Sequence, residues 1–280
     1  MNMPAPVTAT SWQHNVARSF SRAAPRYLAL AGAQQRMGEA LWQHLPSSAT
    51  SILDLGCGPG HWTTRLAARY RATTLGLDLA PGMLAEAQRR HLHQQQFHLQ
   101  RGQRCHWLCA DAARLPLADA SLELVFSNLA LQWCPDLDQT FSELHRVLAP
   151  GGTALINSLA PGTLAEVAEA WSRPGALLDF AAPERVVAAC HAAGFRVGVE
   201  QRAERFHYPD FGAVMASIRG VGAQRPAPPG RAPLTRRDLQ RARQRYERYR
   251  EAAGLPVTYQ RLTLILQRGP RPAPPSETRP

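Results

Sequence analysis

The chain contains no lysine: all 32 of its basic residues are arginines. That excludes a phosphate-binding loop of the kind that ends in Gly-Lys-Ser/Thr. No apolar run approaches the roughly 20 residues of a membrane-spanning helix, so no membrane partner is expected. Cysteine is sparse and odd in number, five residues in all, and no two stand as C-x-x-C. Cys105 and Cys109 have a zinc-like spacing, but no second ligand pair accompanies them and they fall in an expected strand. The sequence therefore predicts no metal site, reduced thiols and a cytoplasmic location. Acids are scarce at one end. None precedes Glu39, whereas Arg18, Arg22, Arg26 and Arg36 stand among Ser and Ala. Transit peptides share that composition, yet Val16 to Ala24 and Tyr27 to Leu45 read as helices leading straight into a strand. The net charge of +11 suits an anionic partner (nucleic acid, a membrane surface or an acidic protein), or simply an arginine-rich proteome.

What is present is most concentrated in Ile52-Leu-Asp-Leu-Gly-Cys-Gly-Pro-Gly60. An apolar run ends in Asp54, glycines follow at 56, 58 and 60, and an amphipathic helix begins with Trp62, Leu66, Ala67 and Tyr70. This is a strand, a glycine-rich turn and a helix N-terminus, a place where a ligand can approach the backbone. The glycine spacing differs from that of a dinucleotide fingerprint. The form D-x-G-x-G-x-G resembles motif I of class I S-adenosylmethionine-dependent methyltransferases. A second strand, Ala72 to Leu79, carries Asp78, suited to pairing with two ribose hydroxyls. A third, Cys105 to Cys109, delivers Asp111, suited to accepting a hydrogen bond from an adenine amine. A fourth, Leu122 to Asn128, ends at the same edge. Leu137 to Leu148 reads as a helix stopped by Pro150-Gly-Gly152, with a fifth strand over Thr153 to Ser158. The alternation predicts an α/β fold with a doubly wound, largely parallel sheet, its strand C-termini along one edge.

Further on lie a helix (Pro183 to Ala193), a strand (Arg196 to Phe206) and a final strand (Thr258 to Gln267), which brings the sheet to seven strands. Between these two strands stand a Pro-rich loop, Arg225 to Pro233, and a very basic helix, Thr235 to Gly254. The expected organisation is a helical lid over 1–45, a cofactor-binding core over 46–207, a helical insertion over 208–257, the last core strand over 258–268 and a disordered tail over 269–280.

A finer resemblance rests on Phe20-Ser-Arg-Ala-Ala-Pro-Arg-Tyr27, Gly76-Leu-Asp-Leu-Ala-Pro-Gly-Met-Leu84, Val125-Phe-Ser-Asn-Leu-Ala-Leu-Gln-Trp133, Leu159-Ala-Pro-Gly-Thr-Leu164 with Trp171, and Gly254-Leu-Pro-Val-Thr-Tyr259. Together they resemble the malonyl-acyl-carrier-protein O-methyltransferases of biotin synthesis, a family with a Rossmann-like methyltransferase sheet. Two segments depart from that family: Trp171 to Pro183 is short, and Arg225 to Pro233 is unusually rich in Pro. The resemblance implies S-adenosyl-L-methionine as methyl donor and the free carboxylate of a malonyl thioester as acceptor. The thioester would be carried by an acidic acyl-carrier protein or by coenzyme A. It also implies cofactor contacts from Asp54 (to the methionine amino group, directly or through water), Gly56, Gly58, Gly60, Asp78 and Asp111, and catalytic positions for Tyr27, Asn128 and Gln132.

A malonyl carboxylate is already ionised at neutral pH, so the reaction requires no general base. It needs alignment and exclusion of water, with one Arg, or Tyr and Gln donors, to orient the acceptor. The carrier would land on the basic helix, through Arg236, Arg237, Arg241, Arg243, Arg245, Arg248 and Arg250, or on Arg18, Arg22 and Arg26. That helix also reads as a solvated face laced with ion pairs. The alternative function is methylation of a quinone ring or another carboxylate. Nucleic acid is disfavoured: Ser127-Asn-Leu-Ala130 is not an Asn/Asp-Pro-Pro-aromatic loop, and Cys134-Pro135 reverses the Pro-Cys of cytosine-directed enzymes.

Overall fold

A computed structural model describes residues 9–96, 104–171, 178–220 and 235–270. The Pro-rich loop at 225–233, most of the expected tail and part of the short 171–183 segment lie outside the described residues. Seven strands form one sheet in the order β3-β2-β1-β4-β5-β7-β6. They are β1 (Ile52–Leu55), β2 (Thr74–Asp78), β3 (Cys105–Cys109), β4 (Leu122–Asn128), β5 (Leu148–Leu159), β6 (Phe195–Tyr208) and β7 (Leu255–Arg268). β1 to β5 pair in parallel, and β7 runs antiparallel between β5 and β6. The winding reverses between β1 and β4, and such a switch point opens a crevice at the strand C-termini.

The central strands are apolar on both faces because helices cover both. Ile52, Leu124, Phe126 and Leu155 face one side, with Leu41 of α3 (Gly32–Trp42) and Trp62 and Leu66 of α4 (His61–Tyr70). Leu53, Leu55, Val125 and Ile156 face the other, with Phe141 and Leu144 of α6 (Leu137–Val147) and Val186 of α8 (Pro183–Ala192). This is the period of two that alternates residues across a sheet.

Several boundaries differ from the sequence expectation. α6 ends at Val147, and Leu148 is already paired with Leu122 in the sheet. Pro150-Gly-Gly152 therefore lies inside β5 and does not separate the helix from the strand. The register jumps there from Leu122↔Leu148 to Leu124↔Thr153, a bulge in which Gly151 takes φ 81°. The basic helix is shorter than expected: α10 (Arg236–Tyr246) passes into a 3-10 turn at Glu247–Tyr249, and Gly254 at φ 121° closes a bridge with Glu251. A side chain at Gly254 would place its Cβ 2.4 Å from the Tyr208 carbonyl oxygen. The last strand consequently starts at Leu255.

Two helices were not anticipated, α7 (Ala165–Trp171) and α9 (Phe211–Arg219). α9 is capped by the Asp210 carboxylate, which accepts from the Ala213 N–H at 2.8 Å. Phe211, Val214 and Ile218 of α9 join Tyr246, Val257 and Tyr259 in a second core beyond the sheet edge. The lid comprises α1 (Ala9–Ala23), α2 (Tyr27–Leu30) and α3. α1 begins well before the expected Val16. It meets the start of α5 (Pro81–Gln96), where the Ser21 hydroxyl accepts from the Gly82 N–H at 3.1 Å.

Candidate active site

The crevice at the switch point is roofed by α1. Its walls include Gly56, Gly58, Asp78 and Asp111 from the strand ends and Val16 and Phe20 from the lid. Gly58, at φ 52°, has open space where a Cβ would stand, and its N–H donates to Asp78 Oδ2 at 2.9 Å. A side chain at Gly56, itself at φ 71°, would collide with Ala130 at 2.2 Å. Gly60 answers a different need. It stands off the wall, and a Cβ there would lie 2.6 Å from the Trp107 ring.

Asp78 Oδ1 accepts from the Ala80 N–H at 2.8 Å, so backbone donors fix this carboxylate at the chamber edge. Its pKa is raised by burial, with the backbone donors opposing. Asp111 accepts from the Ala113 N–H at 3.0 Å and from the Gln13 amide of α1. Sequence reasoning missed Gln13; its place three residues before Val16, on the inward face of α1, was the available signal.

Asp54 is not part of the chamber wall among the described residues. It is buried behind Leu55 and Gly56, where Oδ2 accepts the Thr63 hydroxyl at 2.6 Å. Thr63 thus anchors this carboxylate between β1 and α4, behind the wall that the expected ligand amine would face. Burial, with a smaller contribution from the Asp78 charge, raises its pKa to about 7.

Beside this chamber lies a second one, sharing Phe20, Tyr27, Leu129 and Trp133 with it. Gln34 and Gln132 also line it, and Ile218 and Tyr259 close it from the far side. Its described walls carry no Asp, Glu, His, Cys or Arg. Burial raises the pKa of both Tyr27 and Tyr259, so both phenols stay protonated and can donate. Gln132 donates from Nε2 to the Leu129 carbonyl at 2.8 Å.

Asn128 stands at the chamber wall and also ties the lid to the sheet. It lines the first chamber, but its Nδ2 donates to the Gln34 carbonyl at 3.0 Å and its Oδ1 accepts from Asn157 Nδ2 at 3.0 Å. Asn157 also donates to the Met37 carbonyl at 2.7 Å and accepts from the Thr263 hydroxyl at 2.7 Å. Asn128 is a brace between lid and sheet, because both ends of its amide are committed. The lid is further latched by Trp12, whose Nε1 donates to the Trp133 carbonyl at 3.1 Å, and by Phe20, edge-on to Trp133 at 5.0 Å. Arg146, on α6, is structural: it pairs with Glu143 and Asp119 and donates to the carbonyls of Leu115 and Leu117.

A strand–glycine turn–helix at the switch point of a seven-stranded sheet with an antiparallel β7 defines a class I, S-adenosylmethionine-dependent methyltransferase fold. Residues 53–156 match the methyltransferase domain family. The solved phosphoethanolamine N-methyltransferase 2 of Haemonchus contortus, in complex with S-adenosyl-L-methionine, superposes with a TM-score of 0.60 at 19% identity, covering 96% of this chain and 62% of that one. The malonyl-[acyl-carrier protein] O-methyltransferase of Methylovorus sp. (strain MP688) is 39% identical over 256 residues, 88% of this chain and 85% of that protein. The biotin biosynthesis bifunctional protein BioHC of Cellvibrio japonicus (strain Ueda107) is 35% identical over 258 residues, and there the chain spans about half, 49%, of the relative's length. The chain belongs to the malonyl-[acyl-carrier protein] O-methyltransferase family.

Proposed function

We propose that this protein transfers the methyl group of S-adenosyl-L-methionine to the free carboxylate of a malonyl thioester carried by an acidic acyl-carrier protein. The observation that carries the reading is the absence of a general base from the described walls of the second chamber. A quinone carbon, a hydroxyl or a protonated amine must lose a proton to or after methylation, whereas a carboxylate needs no proton removed.

The first chamber fits the cofactor. Gly58 leaves open space for the methionine portion, the Asp78 carboxylate at the chamber edge would accept from two ribose hydroxyls, and Asp111 would accept from an adenine amine. Once bound, the cofactor supplies a sulfonium methyl: a C–O bond forms to the carboxylate as the methyl–sulfur bond breaks, the electron pair passes to sulfur, and no proton moves. Phe20, Tyr27, Leu129 and Trp133, common to both chambers, confine the two reacting groups and exclude water. The lid and the 208–257 insertion both reach the acceptor chamber, through Phe20 and Tyr27 and through Ile218.

An acidic carrier suits the charge of the chain. Arg18, Arg22 and Arg26 are exposed on the lid, and among the described residues no acid pairs with them. We infer a cytoplasmic setting from the five scattered cysteines, all of them free. Mass spectrometry of malonyl-carrier protein incubated with S-adenosylmethionine tests the reading. One added methyl group, absent when acetyl-carrier protein is used, is expected; no addition overturns it.

A further inference from the structure

Four polar side chains from four separate elements meet in the second chamber: Tyr27 from α2, Gln34 from the first turn of α3, Gln132 from a 3-10 turn and Tyr259 from β7. The remaining wall is apolar. The protein uses little of the hydrogen-bonding capacity gathered there. Gln34 Oε1 and Gln132 Oε1 are buried with no partner, although a buried polar atom in a folded protein is nearly always paired. No hydrogen bond engages the Tyr27 or Tyr259 hydroxyl among the described residues. Among the described residues, the one hydrogen bond that commits any of the four side chains is that of Gln132 Nε2 to the Leu129 carbonyl.

Unspent polar groups in an apolar chamber are costly unless a ligand uses them. The available donors are two phenolic O–H groups, the Gln34 amide N–H pair and the second N–H of Gln132. A half-turn of the Gln34 carboxamide exchanges its oxygen for its NH2, so its orphaned position can present donors. A carboxylate has two oxygens and about four lone-pair sites, and it needs donors alone. The geometry points to this chamber as the seat of the acceptor's free carboxylate. We propose that Gln34 and Tyr259 are specificity-determining residues that hold it with neutral donors, beside Tyr27 and Gln132. This rests on the malonyl reading above.

Neutral donors suit this reaction better than an arginine. The acceptor's negative charge is matched by the cationic methyl donor, and both charges vanish on transfer. A guanidinium in the wall would tie up the attacking lone pairs and be left buried and unpaired against a neutral ester. Donors without formal charge release that ester. They also reject an acetyl group, which would leave them unsatisfied.

The test is calorimetric titration of malonyl-pantetheine and acetyl-pantetheine into the protein saturated with S-adenosylhomocysteine, with KM and kcat for malonyl-carrier protein alongside. Gln34→Leu and Tyr259→Phe should each weaken malonyl-pantetheine about tenfold, the effect of losing one hydrogen bond to a charged group. Acetyl-pantetheine and S-adenosylhomocysteine should bind unchanged. Gln34→Asn should recover part of the loss, which a packing role would not produce. An unaltered malonyl-to-acetyl ratio in both variants, with wild-type turnover of malonyl-carrier protein intact, overturns the inference. A wild-type protein that does not favour malonyl over acetyl overturns the functional reading itself.

Discussion

Asp54→Asn isolates a charge that the fold holds under strain. The wild-type carboxylate is 1% exposed. Burial, reinforced by the Asp78 charge, raises its pKa to about 7 from an ordinary 3.8. The folded protein therefore keeps a proton that the unfolded chain has already released, and stability falls as pH rises through that window. The asparagine does not titrate, and its oxygen can still accept the Thr63 hydroxyl now bonded at 2.6 Å. At about 1.4 kcal/mol per pH unit, the variant's advantage should grow by about 2 kcal/mol between about pH 5.5 and 7, then level off. In a chain of this length that is about 4 °C in Tm. Thermal denaturation without cofactor, across that range and up to about pH 8.5, reads it directly. The cationic methyl donor should favour ionised Asp54, so wild-type affinity for it should weaken below about pH 7 while the variant's stays flat. A Tm difference that is the same at acid and alkaline pH would refute the reasoning.

Two further outcomes are expected. Reversing Arg18 and Arg22 to Glu should raise KM for malonyl-carrier protein at least tenfold at low salt and leave malonyl-coenzyme A turnover nearly unchanged. The carrier reaction should also lose more rate with added salt, and equal sensitivity of the two substrates would exclude docking on this face. Asn128→Ala should lower stability by about 1–3 kcal/mol, because the Gln34 carbonyl and Asn157 each lose a buried partner. A chemical denaturation midpoint that does not move, with kcat collapsed, would instead return Asn128 to the reacting atoms.

The cofactor side of this molecule was legible because its elements are adjacent in the chain. The turn at Gly56, Gly58 and Gly60 follows β1 at once, and Asp78 ends the next strand, so a parallel sheet brings them to one edge. On the acceptor side only the family resemblance supplied Tyr27 and Gln132; Gln34 was missed and Tyr259 stood only as the end of a motif, because these residues share no local pattern and meet through tertiary packing. The bonds of Asn128 were hidden for the same reason: its partners Asn157 and the Gln34 carbonyl stand on another strand and on the lid. Asp54 shows the opposite case. A motif position can be right for the fold, yet its side chain can be turned away to Thr63. α9 is a different kind of miss, since Asp210 followed by Phe211, Val214 and Ile218 is a readable cap and apolar stripe. The bulge at Gly151 displaced the start of β5 because a Pro-Gly-Gly run reads locally as a turn, while Leu148 pairing with Leu122 is a long-range fact.

The excess positive charge and the neutral acceptor chamber belong to one design. The chain carries a net +11, yet among the described residues no arginine lines either chamber. Arg261 is the exception that tests this separation, because it is only 2% exposed and lies on β7 two residues from Tyr259. Its guanidinium is held away from the cavity, with Nε donating to Glu204 Oε1 at 3.0 Å and a second nitrogen donating to the Thr263 hydroxyl. Thr263 in turn donates to Asn157, so the charge ends in a neutral chain of amides before it reaches the brace at Asn128. The buried cation is thus paired and insulated, and the others that could meet an acidic partner stay outside. On the proposed function, long-range attraction would bring the carrier to the surface, while the attacking carboxylate inside would meet only neutral donors.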